Sequence, residues 1–219
     1  MDIAAPLISL VAGLLFAGVL LALGARVRRL VRVPVAPGLR AGVDFLLGSW
    51  MLGTVLLAAG LAGAFQPAVV IAVTISAVVA GRWRRNGRNW SGALGPGLAA
   101  VLLLMVALAP PFFFDALTYH LGLPWQALLD GRVGAHPENL FATFPPLAQL
   151  VYAPLLAAGL DRVPAVLHLL AFVLAGAAVT TGSRRLGAPA PLAHLAGAIL
   201  LVLPCHALVP AIAGAEAWL

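Results

Sequence analysis

The residues best suited to chemistry are concentrated in one segment, residues 110–145. Three of the seven acidic residues of the chain lie in it, at Asp115, Asp130 and Glu138. The segment also holds a set of polar and aromatic side chains: Tyr119, His120, Trp125, Arg132, His136 and Asn139. Because the rest of the chain is strongly apolar, polar groups gathered in a single segment mark it as the place for binding or catalysis.

The residues around Asp115 predict that it lies at the surface of a membrane. The preceding Pro-Pro-Phe-Phe-Phe of residues 110–114 would carry the chain out of the apolar layer. Residues 121–129 then have the pattern of a short interfacial helix, with Trp125 at the depth of the headgroups. Asp130 and the glycine after it most simply form the turn that ends this helix. We therefore expect Asp115 to lie under a helix at the membrane face, within reach of a lipid-linked substrate.

Asp115 itself has two candidate roles. An aspartate is a preferred helix N-cap, so it could cap the helix that follows. A carboxylate is also a suitable general base when an acceptor hydroxyl group comes within hydrogen-bond distance. A cap does not require a position at the membrane edge among other polar groups. We therefore predict that Asp115 is the catalytic residue.

The other polar residues of the segment also have two interpretations each. Tyr119 and His120 suit substrate binding, and equally suit packing and hydrogen bonding at the membrane interface. Arg132 and His136 can bind a phosphate group, whose oxygens match the arginine fork, or else contact lipid headgroups. Glu138 is either a second acid of the site or a solvated loop charge. We take all five as candidate substrate-binding residues.

The composition places this segment in a membrane protein. Hydrophobic residues make up 63% of the chain, charged residues make up 9%, and the mean hydropathy is +1.06. A soluble domain carries about a quarter charged residues, so this chain has too few charges to cover a water-exposed surface. The thirteen basic residues are all arginines and lie in short runs between apolar stretches. That pattern fits orientation in a bilayer and argues against nucleic acid as a partner.

Stretches without charge predict the membrane helices, because a helix must cross a hydrocarbon core of about 30 Å. Their ranges are residues 3–25, 45–81 (divided in two by Gln66-Pro67), 93–109, 145–160, 163–183 and 186–215. The predicted fold class is therefore all-α. The chain would be a polytopic membrane protein of about six or seven transmembrane helices, with one external loop that carries juxtamembrane helices.

The arginines predict the orientation, because basic loops stay on the cytoplasmic side. The arginines within residues 26–40 and 82–88 would be cytoplasmic, which puts the N-terminus and the segment 110–145 outside. Counting onward, Arg184 and Arg185 would then lie outside as well, against this rule. Either the stretch 145–160 is re-entrant, or the two arginines have a role outside. We prefer the second interpretation, because cations there suit a lipid phosphate.

Four short motifs in this region resemble a known family. They are Asp-Ala-Leu-Thr-Tyr-His-Leu-Gly-Leu-Pro at 115–124, Asp-Gly-Arg at 130–132, Pro-Glu-Asn at 137–139 and Phe-Pro-Pro at 144–146. Together they resemble the first external loop of polyprenyl-phosphate-dependent membrane glycosyltransferases of the GT-C type, which include the protein O-mannosyltransferases and the aminoarabinose transferases of lipid A. The Arg-Arg-Leu-Gly of residues 184–187 is similar to a recurrent feature of the group. The resemblance covers residues 93–203.

The extent of the resemblance divides the chain. Residues 1–92 would be an added N-terminal group of membrane spans, and residues 93–219 a GT-C-like core. Such enzymes continue with further spans, so we expect this chain to be the N-terminal part of a longer protein. In protein O-mannosyltransferases a glutamate follows the aspartate, whereas Ala116 follows Asp115 here. This departure favours the broader bacterial set, in the inner (plasma) membrane.

The resemblance also implies a function for the candidate residues. Asp115 would activate a hydroxyl group of the acceptor, which would be a glycan, a lipid or a protein. A hexosyl or pentosyl group would then pass from the lipid-linked donor with inversion. Arg132, His136 and the two arginines of 184–185 would bind the donor phosphate. No cofactor is expected; a divalent metal held by Asp115, Glu138 and a histidine stays open, although no metal-ligand spacing supports it.

Two other functions are compatible with an apolar helical chain. A transporter or lipid flippase would need polar residues along a path through the spans, or paired broken helices, and the predicted spans contain almost no charge. A non-catalytic membrane subunit would not need Asp115 or its loop. The polar segment therefore favours a glycosyltransferase whose partners are the lipid-linked donor, membrane lipids and an acceptor.

Overall fold

The computed structural model describes residues 4–81, 90–136, 139–143, 146–202 and 209–214. Within these ranges every regular element is helical, which confirms the all-α prediction. The α-helices are α1 (Ala4–Leu30), α2 (Arg40–Leu61), α3 (Pro67–Ala80), α4 (Leu94–Ala107), α5 (Gly122–Asp130), α6 (Leu147–Leu150), α7 (Ala153–Ala157), α8 (Val163–Arg185) and α9 (Ala190–Val202). Short 3-10 helices lie at Pro37–Leu39, Ser91–Ala93, Leu140–Thr143 and Val209–Ala211, and a π-helix lies at Ala116–His120.

Three helical stretches are long and apolar enough to cross a membrane: Ala4–Leu30, Pro37–Leu61 and Val163–Arg185. Shorter apolar helices lie at Pro67–Val79, Ser91–Ala107, Leu147–Ala157 and Ala190–Val202. Large apolar side chains cover the outside of the bundle, among them Leu102 and Met105, each 76% exposed. A surface of this kind suits lipid rather than water. The chain is therefore a membrane protein by its helices, and the count of about six or seven spans stays a prediction.

Helix α8 occupies the centre of the bundle and packs against α1, α2, α4 and α9. The apolar core draws residues from both sides of position 92, including Leu20 and Leu56 from the first part and Leu167 and Leu201 from the second. His168 of α8 is fully buried, and its Nδ1 lies 2.6 Å from the carbonyl oxygen of Ile212. The short segment 209–214 is thereby held against α8.

Helices α1 and α2 form a close pair joined by a buried charge. The Nε atom of Arg28 donates to Oδ1 of Asp44 at 2.6 Å, and Asp44 is fully buried. The first predicted span was expected to end at residue 25, before the arginines, but α1 continues through Arg26, Arg28 and Arg29 to Leu30. The carboxylate of Asp44 on the neighbouring helix pairs with the charge of Arg28. Because the charge is paired, Arg28 can remain within α1 and the helix does not have to end before it.

One end of the bundle gathers the turn between α2 and α3, the segment after α4 and the start of α8; we call it the loop end. Two backbone hydrogen bonds join the turn to the segment after α5. The amide of Phe65 donates to the carbonyl of Gly131 (2.9 Å), and the amide of Val133 donates to that of Gly60 (3.0 Å). Arg162, just before α8, donates through Nη1 to the carbonyl of Leu108, the residue after α4, at 3.3 Å. The polar segment is therefore packed onto this end.

The opposite end gathers Pro37–Leu39, Ser91–Ala93 and the last turn of α8; we call it the arginine end. Arg184 and Arg185 lie here, around a cavity that also borders Gly38, Gly92 and His194. From the sequence we preferred to place these two arginines on the side of the external segment. The structure places the two arginines at the end of the bundle away from the described part of that segment; the side of a membrane on which they lie stays a prediction.

The stretch 145–160 explains the difference. The structure describes it from residue 146, and it forms α6 and α7, helices of four and five residues, rather than one long helix. From Leu147 to Ala157 it rises about 16 Å as a helix, roughly half of a hydrocarbon core. Pro154 has no amide hydrogen to donate to the carbonyl of Leu150, so the helix is interrupted between them. The chain consequently returns to the loop end before α8 begins.

Candidate functional site

Asp115 lies at the loop end, at the beginning of the π-helix Ala116–His120. Its backbone is helical (φ −63°, ψ −41°), and its side chain makes no capping hydrogen bond. The carboxylate is half-buried and forms no hydrogen bond or ion pair with the described residues. The alternative role of helix cap therefore has no contact to support it. A π-helix is a rare and unfavourable turn that often occurs where a site requires a particular backbone path.

The π-helix turns Tyr119 and His120 towards other aromatic groups. The ring of Tyr119 stacks on that of Phe141, with 4.2 Å between ring centroids and 18° between planes. The rings of Tyr119 and His120 lie 4.1 Å apart and are tilted by 48°. His120 is 4% exposed, whereas Tyr119 is half-buried. His120 thus belongs to the inner layer of the segment, and Tyr119 lies between that layer and the surface.

Asn139 links the two halves of the segment. Its Nδ2 donates to the carbonyl of Thr118 at 3.1 Å, and its backbone amide donates to the carbonyl of His136 at 2.9 Å. Its Oδ1 accepts from the amide of Phe141 at 3.1 Å, which is an Asx turn. Asn139 was recognised in the sequence as one of the polar residues of the segment, but without a role. The residue type was the available signal, because asparagine side chains commonly accept a hydrogen bond from the backbone amide two residues on.

An open groove of about 600 Å³ runs along the surface of this segment. It is lined by Phe114, Thr118, Gly122, Leu123, Trp125, Gln126, His136, Asn139, Leu140 and Phe141. The lining combines exposed apolar groups, such as Phe114 (73% exposed) and Leu140 (74%), with polar ones. Asp115 is not part of the lining, although Phe114 before it and Thr118 three positions after it are. Asp115 therefore belongs to the segment that lines the groove, without lining it itself.

His136 lines the groove and lies close to an acid. Its Nε2 lies 3.7 Å from Oδ2 of Asp130, and Oδ1 of Asp130 accepts a hydrogen bond of 2.9 Å from Nε2 of Gln126. Asp130 does end α5, as predicted, with Gly131 in the left-handed conformation (φ 68°). Its second contact, with His136, was not predicted, because the two residues are brought together only by the turn that follows α5.

Of the remaining candidates, Arg132, Arg184 and Arg185 are not brought to the groove. The side chain of Arg132 is exposed and does not line it. Glu138 lies outside the described residues. Arg184 and Arg185 are at the arginine end. The described residues contain no group of three histidine, cysteine, aspartate or glutamate side chains that could hold a metal ion.

The site thus consists of the half-buried carboxylate of Asp115, the ring of His136 in contact with Asp130, and a groove rich in aromatic residues. All three lie at one end of an apolar helical bundle. No protein-family model, no curated protein and no solved structure matches the chain. What the site does must therefore be inferred from its own chemistry.

Proposed function

We propose that the chain is a membrane glycosyltransferase that transfers a sugar from a polyprenyl-phosphate donor to an acceptor at the outer face of the membrane. The observation that carries the proposal is the position of Asp115. Its carboxylate is half-buried without a capping or pairing contact among the described residues, and it belongs to the segment that lines an open groove of about 600 Å³. The resemblance of residues 115–146 to the first external loop of GT-C enzymes supports the same assignment.

The proposed reaction uses Asp115 as the general base. Its carboxylate takes the proton of the acceptor hydroxyl group, and the oxygen attacks the anomeric carbon of the donor. The bond between that carbon and the phosphate oxygen breaks, and the polyprenyl phosphate leaves with the electron pair. Because attack and departure occur on opposite faces of the sugar, the configuration at the anomeric carbon is inverted.

The groove supplies the other needs of such a donor. Exposed apolar groups along it, including Phe114, Trp125 and Leu140, suit a prenyl chain or the face of a sugar ring. His136 lines the same groove, with Asp130 in contact at 3.7 Å, and we assign its imidazole to the phosphate group of the donor. The groove thus combines apolar contacts with a few polar groups, as is usual for small-molecule sites.

The proposed orientation places the loop end outside and the arginine end in the cytoplasm of a bacterial inner membrane. It is supported by the arrangement of charge, since Arg26, Arg29, Arg184 and Arg185 all lie towards one end. We propose that α1, α2, α3, α4, α8 and α9 cross the membrane and that the stretch Leu147–Ala157 is re-entrant. This arrangement removes the conflict with the charge rule that the sequence presented.

The test is transfer of radiolabelled sugar from a polyprenyl-phosphate donor pool, in membranes that contain the full-length wild type or a variant. We expect Asp115→Asn to reduce transfer by about a hundredfold or more, because the amide cannot accept the proton. Asp161→Asn is the matched control: it removes an exposed carboxylate at the same end and should transfer as the wild type does.

The amounts of inserted protein must be equal, as judged by immunoblotting of the membranes. Equal transfer by Asp115→Asn and wild type would remove Asp115 from the mechanism. An absence of transfer by the wild type, with several sugar donors and acceptors, would count against glycosyl transfer itself and favour a transporter or a non-catalytic subunit.

A further inference from the structure

The arginine end contains a second cavity, of about 520 Å³ and open to the outside, which we call the arginine groove. Its wall is formed by the last turns of α8, by the two short 3-10 helices of this end and by His194 of α9. It lies at the other end of the bundle from Asp115. The proposed glycosyl transfer does not use it.

Close backbone approach shapes the arginine groove. A Cβ atom on Gly38 or on Gly92 would lie 2.9 Å from Oγ1 of Thr181, so both segments rest directly on α8. The hydroxyl group of Thr181 donates to the carbonyl of Ala177 at 2.8 Å. The Thr181 hydroxyl group therefore presents lone pairs, and not its proton, to the groove. The strong hydrogen-bond donors of the wall are basic side chains.

Three basic side chains line the arginine groove. Arg184 uses one guanidinium nitrogen, Nη1, to donate to the carbonyl of Ala188 at 2.9 Å, which leaves its other N–H groups available. Arg185 is exposed and forms no side-chain hydrogen bond or ion pair with the described residues. The Nδ1 atom of His194 is buried and has no hydrogen-bond partner in the described part of the chain. None of the described lining residues is acidic, so the groove suits an anion.

The surroundings of the arginine groove indicate where the anion comes from. Beside it, Leu186 is 91% exposed, and Leu192 and Leu195 of α9 are 59% and 55% exposed. Leu186 directly follows Arg185, and Leu192 and Leu195 lie on α9 beside His194 in the chain, so exposed apolar groups adjoin the residues of the groove, and acyl chains would lie against them. An arginine fork binds phosphate oxygens through parallel hydrogen bonds. A charged head above exposed leucines matches an anionic phospholipid better than a soluble phosphate.

We propose that the arginine groove binds the phosphate of an anionic phospholipid from the membrane leaflet at this end. Arg184 and Arg185 hold the phosphate oxygens, and the leucines of the rim pack on an acyl chain. Bound lipid then joins the end of α8 to α9 and to the two 3-10 helices. Lipid bound at this site therefore stabilises the assembled bundle. This stabilisation does not depend on which reaction the loop end performs.

The experiment is a lipid titration of the full-length chain in neutral detergent, followed by thermal unfolding. Phosphatidylglycerol is the anionic probe, phosphatidylcholine the zwitterionic control and inorganic phosphate the soluble control. Because a ligand that binds the folded state raises its stability, the midpoint temperature gives an apparent affinity. We expect phosphatidylglycerol alone to raise it, and Arg185→Gln to weaken that affinity about fivefold.

Arg29→Gln is the matched control, since Arg29 is exposed near the same end but does not line the groove. It should keep the affinity of the wild type. The proposal is overturned if Arg185→Gln and Arg29→Gln weaken binding equally, because the effect would then be one of general charge. It is also overturned if phosphatidylcholine stabilises as well as phosphatidylglycerol, or if inorganic phosphate at millimolar concentration reproduces the effect.

Discussion

One aspartate at each end of the bundle is partly or fully removed from solvent, and the two differ in burial and in their partners. At the arginine end, Asp44 is fully buried against Arg28, whose side chain is 13% exposed. At the loop end, Asp115 is half-buried and has no such partner among the described residues. A buried acid bonded to an arginine on the next helix is a structural group. A less buried acid without a partner beside a groove is suited to act on a ligand.

The pair of Arg28 and Asp44 leads to a prediction about stability. Asp44→Asn leaves the guanidinium group of Arg28 buried without its carboxylate, a change that costs about 3–5 kcal/mol in a protein interior. Because Arg28 can extend its long side chain towards the headgroups, we expect a loss of about 2–3 kcal/mol, measured as thermal unfolding in detergent. Asp161→Asn, at an exposed position, should be neutral.

A second variant makes the same prediction sharper. Arg28→Gln combined with Asp44→Asn removes both charges, so it should be more stable than Asp44→Asn alone. If the single and the double variants unfold at the same temperature, the ion pair does not hold α1 to α2.

The residues of the candidate site were predicted unevenly, for a physical reason. Asp115 and the turn at Asp130 follow from local features, namely an apolar run before one and a glycine after the other. The contact between Asp130 and His136, and the stacking of Tyr119 on Phe141, depend on the path of the chain between them. Arg132 shows the converse, since its type suits phosphate but the fold leaves it exposed and outside the lining of the groove.

At the scale of helices, the approach of α1 to α2 depends on two glycines. A Cβ atom on Gly24 would collide with the backbone of Asp44, and one on Gly48 with the backbone of Leu20. The chain has 23 glycines, and sequence spacing alone does not distinguish these two from the rest. Small residues at such positions allow helices in membranes to pack backbone against backbone.

We therefore predict that Gly48→Ala separates α1 from α2 and lowers the unfolding temperature, by overpacking that costs about 1–3 kcal/mol. Gly97→Ala in α4 is the matched control. Nothing lies within 4 Å of its added Cβ atom, and alanine is the better helix former, so its stability should be equal or higher. Equal unfolding temperatures for Gly48→Ala and the wild type would contradict the close packing of the two helices.

The sequence predicts which stretches are helical, but not where every helix begins and ends. Uncharged apolar stretches identified the positions of α1, α2, α3, α4, α8 and α9. The stretch 145–160 was taken for a span because its composition is apolar throughout. Its break lies at residues 151–152, just before Pro154, and only the resulting shortness of α6 and α7 shows that it is not one continuous helix.

At the scale of the whole molecule, the bundle has two chemically different ends. The loop end carries Asp115 and the aromatic groove, whereas the arginine end carries the arginine groove. The proposed transfer of sugar at one end and the proposed binding of lipid at the other both require that these ends face opposite sides of a membrane. The sequence led us to prefer the same side for Arg184, Arg185 and the polar segment, because one apolar stretch was counted as a crossing, whereas the structure has them at opposite ends of the bundle.

The sidedness of the two ends is therefore the claim to test first, by labelling single cysteines with a membrane-impermeant maleimide on intact cells. Cys205, the single cysteine of the chain, is replaced by alanine, and one new cysteine is introduced at an exposed position of each end. Ala135→Cys probes the loop end, and Val33→Cys, just after α1, probes the arginine end. We predict that Ala135→Cys is labelled from outside and Val33→Cys only after permeabilisation. Labelling of both from the same side would contradict the arrangement on which both proposals depend.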